Sequence, residues 1–426
     1  MMTAYRSNSP RAKYVRGSIF LLLLLLPMIA FAGQKKKTAP APEVKAGDRR
    51  IIGHFDISKI VWPGPPAIAR IRFMDIYTGE KIDPDLFNKK KEKKKEKWMD
   101  RLAGTKPVAD QIDYSKLPFQ LIRTYGVAVD SKGNIYAGDQ AVGAIFIFNP
   151  ETKGVELIRN RKDANFGLIN GLAIDDSDRL FVTDMKLREV LVFNAQHKQE
   201  GAFGADVLAN PGGVAIDNEN RFLYVVDTGN DVVDVFDADT FKLLRKIGTP
   251  GKKHTLTDPG TFSLPSNVAV DSDGNVYVVD SFNARVEIFD ADGNFISMFG
   301  KFSDAPGHFE RPKGIAIDND GHIWVVDAAQ DRAKVFDREG NLLIYFGEHG
   351  EFPGQFQGIY AIAIDNKTNR VITSETYPGR VQVFRYVTDA EFEKATKERE
   401  QAGTHVTAAA TQKSNQPEQA QSSAAH

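Results

Sequence analysis

The stretch from residue 265 to 300, PSNVAVDSDGNVYVVDSFNARVEIFDADGNFISMFG, contains the pattern of four short strands joined by turns. An apolar run leads to Asp271, a second leads to Asp280, and two further apolar segments follow. The tripeptide Asp-Gly-Asn occurs at residues 273–275 and 292–294, and Gly and Asn tolerate the positive φ of tight hairpins. One such four-stranded unit cannot bury both of its faces, so the stretch predicts neighbours of its own kind.

The unit recurs along the chain, with six copies between residues 121 and 386. A period of 40 to 50 residues with four strands per copy is typical of a β-propeller. The fold class is therefore predicted to be all-β, a six-bladed propeller of four-stranded antiparallel blades. The first strand of each copy ends in an aspartate, at Asp130, Asp175, Asp217, Asp271, Asp318 and Asp365.

The sixth copy has no fourth strand after it, because the chain turns polar beyond residue 386. Residues 68–77, IARIRFMDIY, form a lone strand-like segment before the first copy. An unpaired sheet edge is a liability that ring closure removes. We therefore predict that this N-terminal strand completes the last blade and closes the ring.

The N-terminus has the pattern of an export signal, predicted over residues 1–32. Basic residues without acids precede an apolar run at 17–30, and Ala30-Phe31-Ala32 forms an A-x-A cleavage site. The run is about 14 residues long, short of the about 20 needed to span a membrane. The sequence predicts an exported protein, periplasmic or extracellular, or a membrane-anchored one if the signal is not cleaved.

The remaining segments flank the propeller. Residues 33–50 are predicted as a Pro- and Lys-rich linker, and 51–118 as an N-terminal segment that carries the closing strand and a Lys-rich helical insertion. The run from Lys89 to Lys97 is either a solvated helix face or a contact for an acidic partner or an anionic membrane surface. The propeller is assigned to 119–386, and a polar helical extension with a disordered tail to 387–426.

Composition excludes several classes of chemistry. The chain has no cysteine, which rules out disulfides, thiolate metal sites and a Cys nucleophile. The formal net charge of the 426 residues is −1, so the basic footprint of a nucleic-acid-binding protein is absent. Only eight histidines are available for a metal site. No catalytic residue stands out.

The repeated pattern P-x-G-(V/I)-A-(V/I)-D, followed by (I/V)-Y-V-x-D and V-x-(I/V)-F-D, resembles the NHL repeat of exported bacterial propellers. The match is best at residues 265–300 and 312–347. This resemblance implies a fold shared by peptide-amidating lyases, receptor-kinase sensor domains and protein- or RNA-binding propellers, with gluconolactonase-type hydrolases alike in architecture. Three functions stay open: a binding or scaffold module for a protein, peptide or envelope glycan; a divalent-metal-dependent lyase or hydrolase; and an envelope sensor or assembly factor. The first is our prediction, because the candidate channel residues described next do not supply a complete set of metal ligands.

The residues before the inner-strand glycine positions are predicted to surround the channel mouth and to bind a ligand. The resemblance implies histidines around a zinc ion there in the lyases, and a carboxylate with amides around a divalent ion in the hydrolases. Zinc needs three or four ligands and calcium six or more oxygens. The positions offer neither set, so no cofactor is predicted, and Zn or Ca remains an option only through the loop residues His254, His308 and His349. The predicted mouth residues are Tyr125, Asn170, Gly212, Ser266, Lys313 and Tyr360.

The loops after the second strands add a second group of candidates, Tyr377 and a repeated arginine. The arginines at or near one register are Arg188, Arg285 and Arg332, with Arg380 in the last copy. They fit either an anionic or carbohydrate ligand, or a structural bond to the aspartate that ends the second strand. Those aspartates are predicted to accept backbone N–H groups of the adjoining loop.

Overall fold

The computed structural model describes residues 56–81, 118–249 and 258–400. Within them the strands form six sheets, five of four strands and one of five. The innermost strands contact one another in chain order, and the sixth contacts the first. The described part of the chain is thus a closed six-bladed β-propeller with four-stranded antiparallel blades, as the repeats predict. No helix in these residues is long and apolar enough to cross a membrane.

Each of the first five blades takes its strands consecutively, from the channel outward. Blades 1 to 3 contain β3 (Thr124–Val129), β4 (Ile135–Asp139), β5 (Ala144–Phe148), β6 (Val155–Arg159), β7 (Ile169–Ile174), β8 (Leu180–Asp184), β9 (Glu189–Phe193), β10 (Gln199–Phe203), β11 (Pro211–Asp217), β12 (Phe222–Asp227), β13 (Val232–Asp237) and β14 (Leu243–Ile247). Blades 4 to 6 contain β15 (Pro265–Val270), β16 (Val276–Asp280), β17 (Arg285–Phe289), β18 (Phe295–Phe299), β19 (Pro312–Ile317), β20 (Ile323–Asp327), β21 (Arg332–Phe336), β22 (Leu342–Phe346), β23 (Ile359–Asp365), β24 (Arg370–Glu375) and β25 (Arg380–Tyr386).

The turns between first and second strands are built as the sequence predicts. Gly274 has a φ of 80°, a conformation that suits glycine. Asp271 accepts hydrogen bonds from the backbone of Asn275 at 2.9 Å and from its side chain at 3.0 Å. Asp271 therefore holds its own turn.

The core lies between the blades. The described residues form six buried apolar clusters, each shared by two neighbouring sheets, including one between blades 6 and 1. The cluster between blades 4 and 5, for example, joins Val286 to Ile323 and Phe336, all fully buried. Because each blade buries both faces against neighbours, the ring is stabilised as a unit.

An N-terminal strand closes the ring, which confirms the prediction. Strand β2 (Ile71–Tyr77) pairs antiparallel with β25 and sets Ile71 opposite Tyr386. The strand begins at Ile71, three residues later than the predicted start at 68. A short β1 (Val61–Trp62) adds a fifth strand outside it, following the 3-10 turn Ile57–Lys59. The Trp62 ring then packs 5.5 Å from Phe346 and 5.8 Å from Phe384, across blades 5 and 6.

A helix over residues 389–400, α1, follows the last strand. Thr388 and Glu391 form a reciprocal capping box at its start, with backbone-to-side-chain bonds of 3.1 and 3.3 Å. This helix lies within the predicted polar extension. The predicted export signal, the linker, the Lys89–Lys97 run and the tail beyond residue 400 lie outside the described residues.

Candidate functional site

Every predicted mouth residue lies at a β-bulge. The register between the first and second strands shifts at the start of each inner strand, for example between Thr124 and Val127 in blade 1 and between Pro312 and Ile315 in blade 5. A bulge re-aims a side chain that a regular strand would direct at its neighbour. The same shift occurs in all six blades and contains Tyr125, Asn170, Gly212, Ser266, Lys313 and Tyr360.

The acid that ends each second strand fixes the loops around these bulges. Asp139 is fully buried and accepts four backbone hydrogen bonds of 2.6 to 2.9 Å, from Ile122 and Arg123 before the inner strand and from Ala141 and Val142 after the second strand. One carboxylate therefore holds two loops together, as the sequence predicts. The equivalent acids also accept loop N–H groups, at Asp184, Asp227, Asp280, Asp327 and Glu375.

Two tyrosines and an amide form one side of the channel entrance. The rings of Tyr125 and Tyr360 meet edge to face, with centroids 4.4 Å apart. The Tyr360 hydroxyl donates to Asn170 Oδ1 at 3.2 Å and so reaches from blade 6 to blade 2. Burial raises the pKa of Tyr360, so its hydroxyl stays protonated and available as a donor.

A lysine of blade 5 also lies at the entrance. Lys313 is half-buried, and no described carboxylate lies close enough to pair with it. Burial, followed by the charge of nearby Arg311, lowers its pKa. Ser266 donates its hydroxyl to the Lys313 carbonyl at 2.8 Å, and Ser281 Oγ lies 2.8 Å from Ser266 Oγ. The entrance thus holds an uncompensated cation on a fixed backbone.

Hydroxyl groups at the ends of the second strands tie each of four blades to the inner strand of the next blade. Thr183 donates to the Gly212 carbonyl of the next blade at 2.5 Å, and Thr228 donates to the Pro265 carbonyl at 2.8 Å. Ser281 bonds to the Pro312 carbonyl in the same way, and Ser374 bonds to that of Tyr125. These ties keep the channel entrance rigid.

We define the rim as the two residues before each inner strand, the bulge residue, and the loop between the second and third strands of each blade. Large apolar side chains are exposed on it. Phe282 is 67% and Tyr377 58% exposed. Both belong to loops after second strands, where packing against a neighbouring blade ends. The exposed large apolar residues of the rim are Ile122, Leu168, Leu187, Leu264, Phe282 and Tyr377.

The rim is also cationic. Its described residues include three acids, Asp231, Glu310 and Asp331. Asp231 already accepts the Leu264 N–H at 2.9 Å, and Asp331 accepts the Gly358 N–H at 2.8 Å. Its five cations are Arg123, Lys186, Arg188, Arg311 and Lys313.

The repeated arginines divide into different roles. Arg285 and Arg380 are 3% and 2% exposed, pair with Asp280 and Glu375, and donate to carbonyls of the incoming loops. Their N–H groups are thus used within the fold, which matches the structural alternative. In blade 2 the residue opposite the acid Asp184 is Glu189 rather than an arginine. Arg188 lies one residue before that position, in the loop, and is exposed. Arg332 occupies the slot but stacks on Tyr345, 4.8 Å from its ring centre.

The entrance does not fit a divalent ion. It presents hydroxyls, an amide and a lysine, whereas zinc or calcium requires several imidazoles or carboxylates. In the described ranges no three His, Asp or Glu side chains are placed to hold an ion. His349 bonds to Asp331 at 2.7 Å, and His308 contributes its carbonyl to Lys334. His254 lies outside the described residues.

Sequence reasoning missed two features of the entrance. Arg311 precedes an inner strand rather than lying on its bulge, so the repeat alignment gave it no role. The hydroxyl ties of Thr183, Thr228, Ser281 and Ser374 were also missed. Ser and Thr one residue before or after the acid of four copies were a signal that could have found them.

Two known proteins are similar in sequence to parts of this chain. The chain is 32% identical over 114 residues to a probable peptidyl-alpha-hydroxyglycine alpha-amidating lyase, pgal-1, of Caenorhabditis elegans, covering 26% of this chain and 31% of that protein. It is 32% identical over 193 residues to human NHL repeat-containing protein 3, covering 40% of this chain and 52% of the relative. The chain thus spans about a third and about half of these relatives.

A solved structure from Bacteroides thetaiotaomicron, described as a structural genomics protein of unknown function, superposes with a TM-score of 0.51 at 18% identity. The match covers 62% of this chain and 70% of that one, and it shows the fold alone. The family model described as "SMP-30/Gluconolactonase/LRE-like region" matches residues 70–299, more than half of the chain and including the closing strand. The chain therefore belongs to the SMP-30/gluconolactonase/LRE-like family of β-propellers, with the NHL-type repeats that its sequence indicates.

Proposed function

We propose that this propeller is a binding module whose rim receives an acidic, partly apolar segment of a protein partner. The observation that carries the proposal is the combination of exposed apolar side chains with an uncompensated cationic entrance. Exposed apolar patches bounded by polar residues mark interaction sites, and complementary charge selects the partner. The rigid bulges and loops suit recognition with little ordering cost.

The test uses short synthetic peptides rich in Glu and Leu, with the same peptides carrying Gln for Glu as neutral counterparts. Wild-type protein is expected to bind the acidic set, and added salt should weaken binding because the charges are exposed. The double variant Phe282→Ser with Tyr377→Ser removes the largest exposed apolar groups of the rim and should lose most of the binding. Ile296→Ser is the matched control, because Ile296 is 51% exposed on the outer strand of blade 4.

Equal binding of acidic and neutral peptides, or equal loss in both variants, would contradict the proposal.

We further propose that the protein acts outside the cytoplasm, on the strength of the N-terminal signal pattern. Mass spectrometry of protein recovered from the cell envelope should then show an N-terminus at Gly33. An intact Met1 would indicate an anchored form instead.

A second candidate function is a divalent-metal-dependent lyase or hydrolase. It is supported by the family and by the similarity to an amidating lyase, together with the buried His308 Nδ1, which has no hydrogen-bond partner in the described part of the chain. Metal analysis of the purified protein tests it. Stoichiometric zinc or calcium that disappears in His308→Ala would favour this function over the first.

A further inference from the structure

A cleft lined by residues that do not belong to the rim lies at the outer edge between blades 5 and 6. Its volume is about 550 Å³, within the range of about 300–1,000 Å³ that is usual for small-molecule sites. The end of β22, the loop that follows it and the N-terminal β1 form its walls. The lining includes Trp62, Arg332, Tyr345, Glu348, Phe352 and Gln355.

The register of the blades explains why Arg332 reaches this cleft. The arginines at the equivalent positions of blades 4 and 6, Arg285 and Arg380, are buried. Their guanidinium groups bond to the acid that ends the second strand and to carbonyls of the loop that enters the blade. In blade 5 a lysine two residues after Arg332 makes the equivalent contacts to the acid and to the incoming loop. Lys334 is fully buried, donates to the His308 carbonyl, and lies 3.9 Å from Asp327.

Two cations therefore compete for one acid in blade 5. Burial is the main cause that lowers the pKa of Lys334 to about 8; the charge of Asp327 opposes this shift, and the charge of Arg332 adds to it. Asp327 is also committed to the backbone N–H groups of Glu310 and Arg311, at 2.8 and 3.0 Å. Arg332 is thereby displaced from the acid, and it forms no ion pair with any described carboxylate.

The guanidinium of Arg332 lies among aromatic side chains. It stacks on Tyr345, and its Nε is buried without a hydrogen-bond partner among the described residues. Trp62 and Phe352 supply further aromatic surface to the cleft. Glu348, the acid of the lining, accepts a hydrogen bond from Gln355 at 2.9 Å. A guanidinium that has no acid partner among the described residues is available to pair with the carboxylate of a ligand.

We propose that this cleft binds a small carboxylate that carries a flat apolar face, either an aromatic ring or the C–H face of a sugar ring. The carboxylate pairs with the Arg332 guanidinium, whose planar donors match it in two parallel hydrogen bonds. The flat face stacks against the aromatic walls. This site is separate from the rim and does not depend on the peptide-binding proposal.

Isothermal titration calorimetry of the full chain with benzoate and with glucuronate tests the site, and the stronger probe identifies the ring type. Benzyl alcohol is the neutral counterpart of benzoate. Arg332→Met keeps the stem and removes the charge, and it should raise the dissociation constant at least about tenfold, the ratio that corresponds to about 1.4 kcal/mol. Arg338→Met, an exposed arginine of the same blade, should leave binding unchanged.

Tyr345→Leu provides a second variant in case Arg332→Met disturbs folding. Tyr345 is 40% exposed on an outer strand, so its removal should weaken binding several-fold while the melting temperature stays near that of the wild type. Failure of both carboxylates to bind would overturn the proposal. So would equal binding of benzyl alcohol, or undiminished binding by folded Arg332→Met.

Discussion

At the scale of single residues, the organising feature is the buried acid at the end of each second strand. Asp139 shows it most simply, since its carboxylate is fully buried and its hydrogen bonds go to backbone N–H groups of two loops. A buried charge is tolerated only where hydrogen bonds satisfy it. The acid therefore contributes both to stability and to the shape of the rim.

Replacing Asp139 by Asn tests this role. The amide keeps one acceptor but directs an NH₂ group at backbone donors, so the free energy of unfolding should fall by about 3 kcal/mol. Urea titration followed by circular dichroism measures the change. Asp290→Asn is the control, because Asp290 holds a solvent-exposed outer turn, and the Asn294 side-chain amide that donates to its second oxygen can turn over to accept instead. A midpoint that shifts equally in both variants would contradict the role of Asp139.

At the scale of elements, the link between blade 5 and helix α1 is sensitive to pH. His322 is buried, its Nδ1 lies 3.0 Å from Asp318 and 3.3 Å from the Tyr386 hydroxyl, and its Nε2 lies 3.8 Å from Asp389 at the start of α1. The hydrogen bond with Asp318 is the main cause that raises the pKa of His322, and the nearby charges of Asp389 and Asp320 act in the same direction.

The sign of the pH dependence follows from that raised pKa. The charged imidazole stabilises the fold fully below the unfolded-state pKa of about 6.5, and this contribution is lost as the pH rises through the higher folded-state value. We expect the difference in unfolding free energy between wild type and His322→Asn to be larger at about pH 6 than at about pH 8.5. Denaturant titrations at both values measure it. A difference that grows with pH would refute the assignment.

At the scale of the whole molecule, stability depends on one strand from the far end of the chain. Phe73 of β2 is 4% exposed, and its ring lies 5.6 Å from that of Phe384 in the last blade. Its neighbour Met74 points away from the core and is 45% exposed. Substitutions at these two adjacent positions therefore distinguish the loss of core packing from a general effect of changing the closing strand.

Phe73→Ala should destabilise the entire ring, because the cavity lies in the seam that joins its two ends. The expected loss is about 3–5 kcal/mol in unfolding free energy, the usual cost of truncating a buried Phe. Met74→Ala should leave the thermal midpoint nearly unchanged. Differential scanning calorimetry compares the two. Similar midpoints for Phe73→Ala and the wild type would mean that ring closure contributes little.

Much of the fold follows from the sequence because each blade repeats the same local chemistry. The acids, the Asp-Gly-Asn turns and the leftover strand before blade 1 predict six closed blades. The role of Arg332 does not follow in this way. It shares its register with Arg285 and Arg380, and its different environment depends on Lys334 and on a loop from the preceding blade. The sequence also does not reveal which aromatic side chains are exposed. Phe282 and Phe289 are the same residue type, but they are 67% and 2% exposed.

The pairing of β2 with β25 also bears on biosynthesis. Ile71 pairs with Tyr386, so 315 residues separate the two partners along the chain. At about 5–20 residues per second, the first strand waits roughly 15 to 60 s on the ribosome before its partner is made. During that time Ile71 and Phe73 lack the strand of the last blade, β25, against which β2 pairs in the folded ring. Until the last blade emerges, the open edge of this strand is therefore an aggregation hazard for the growing chain.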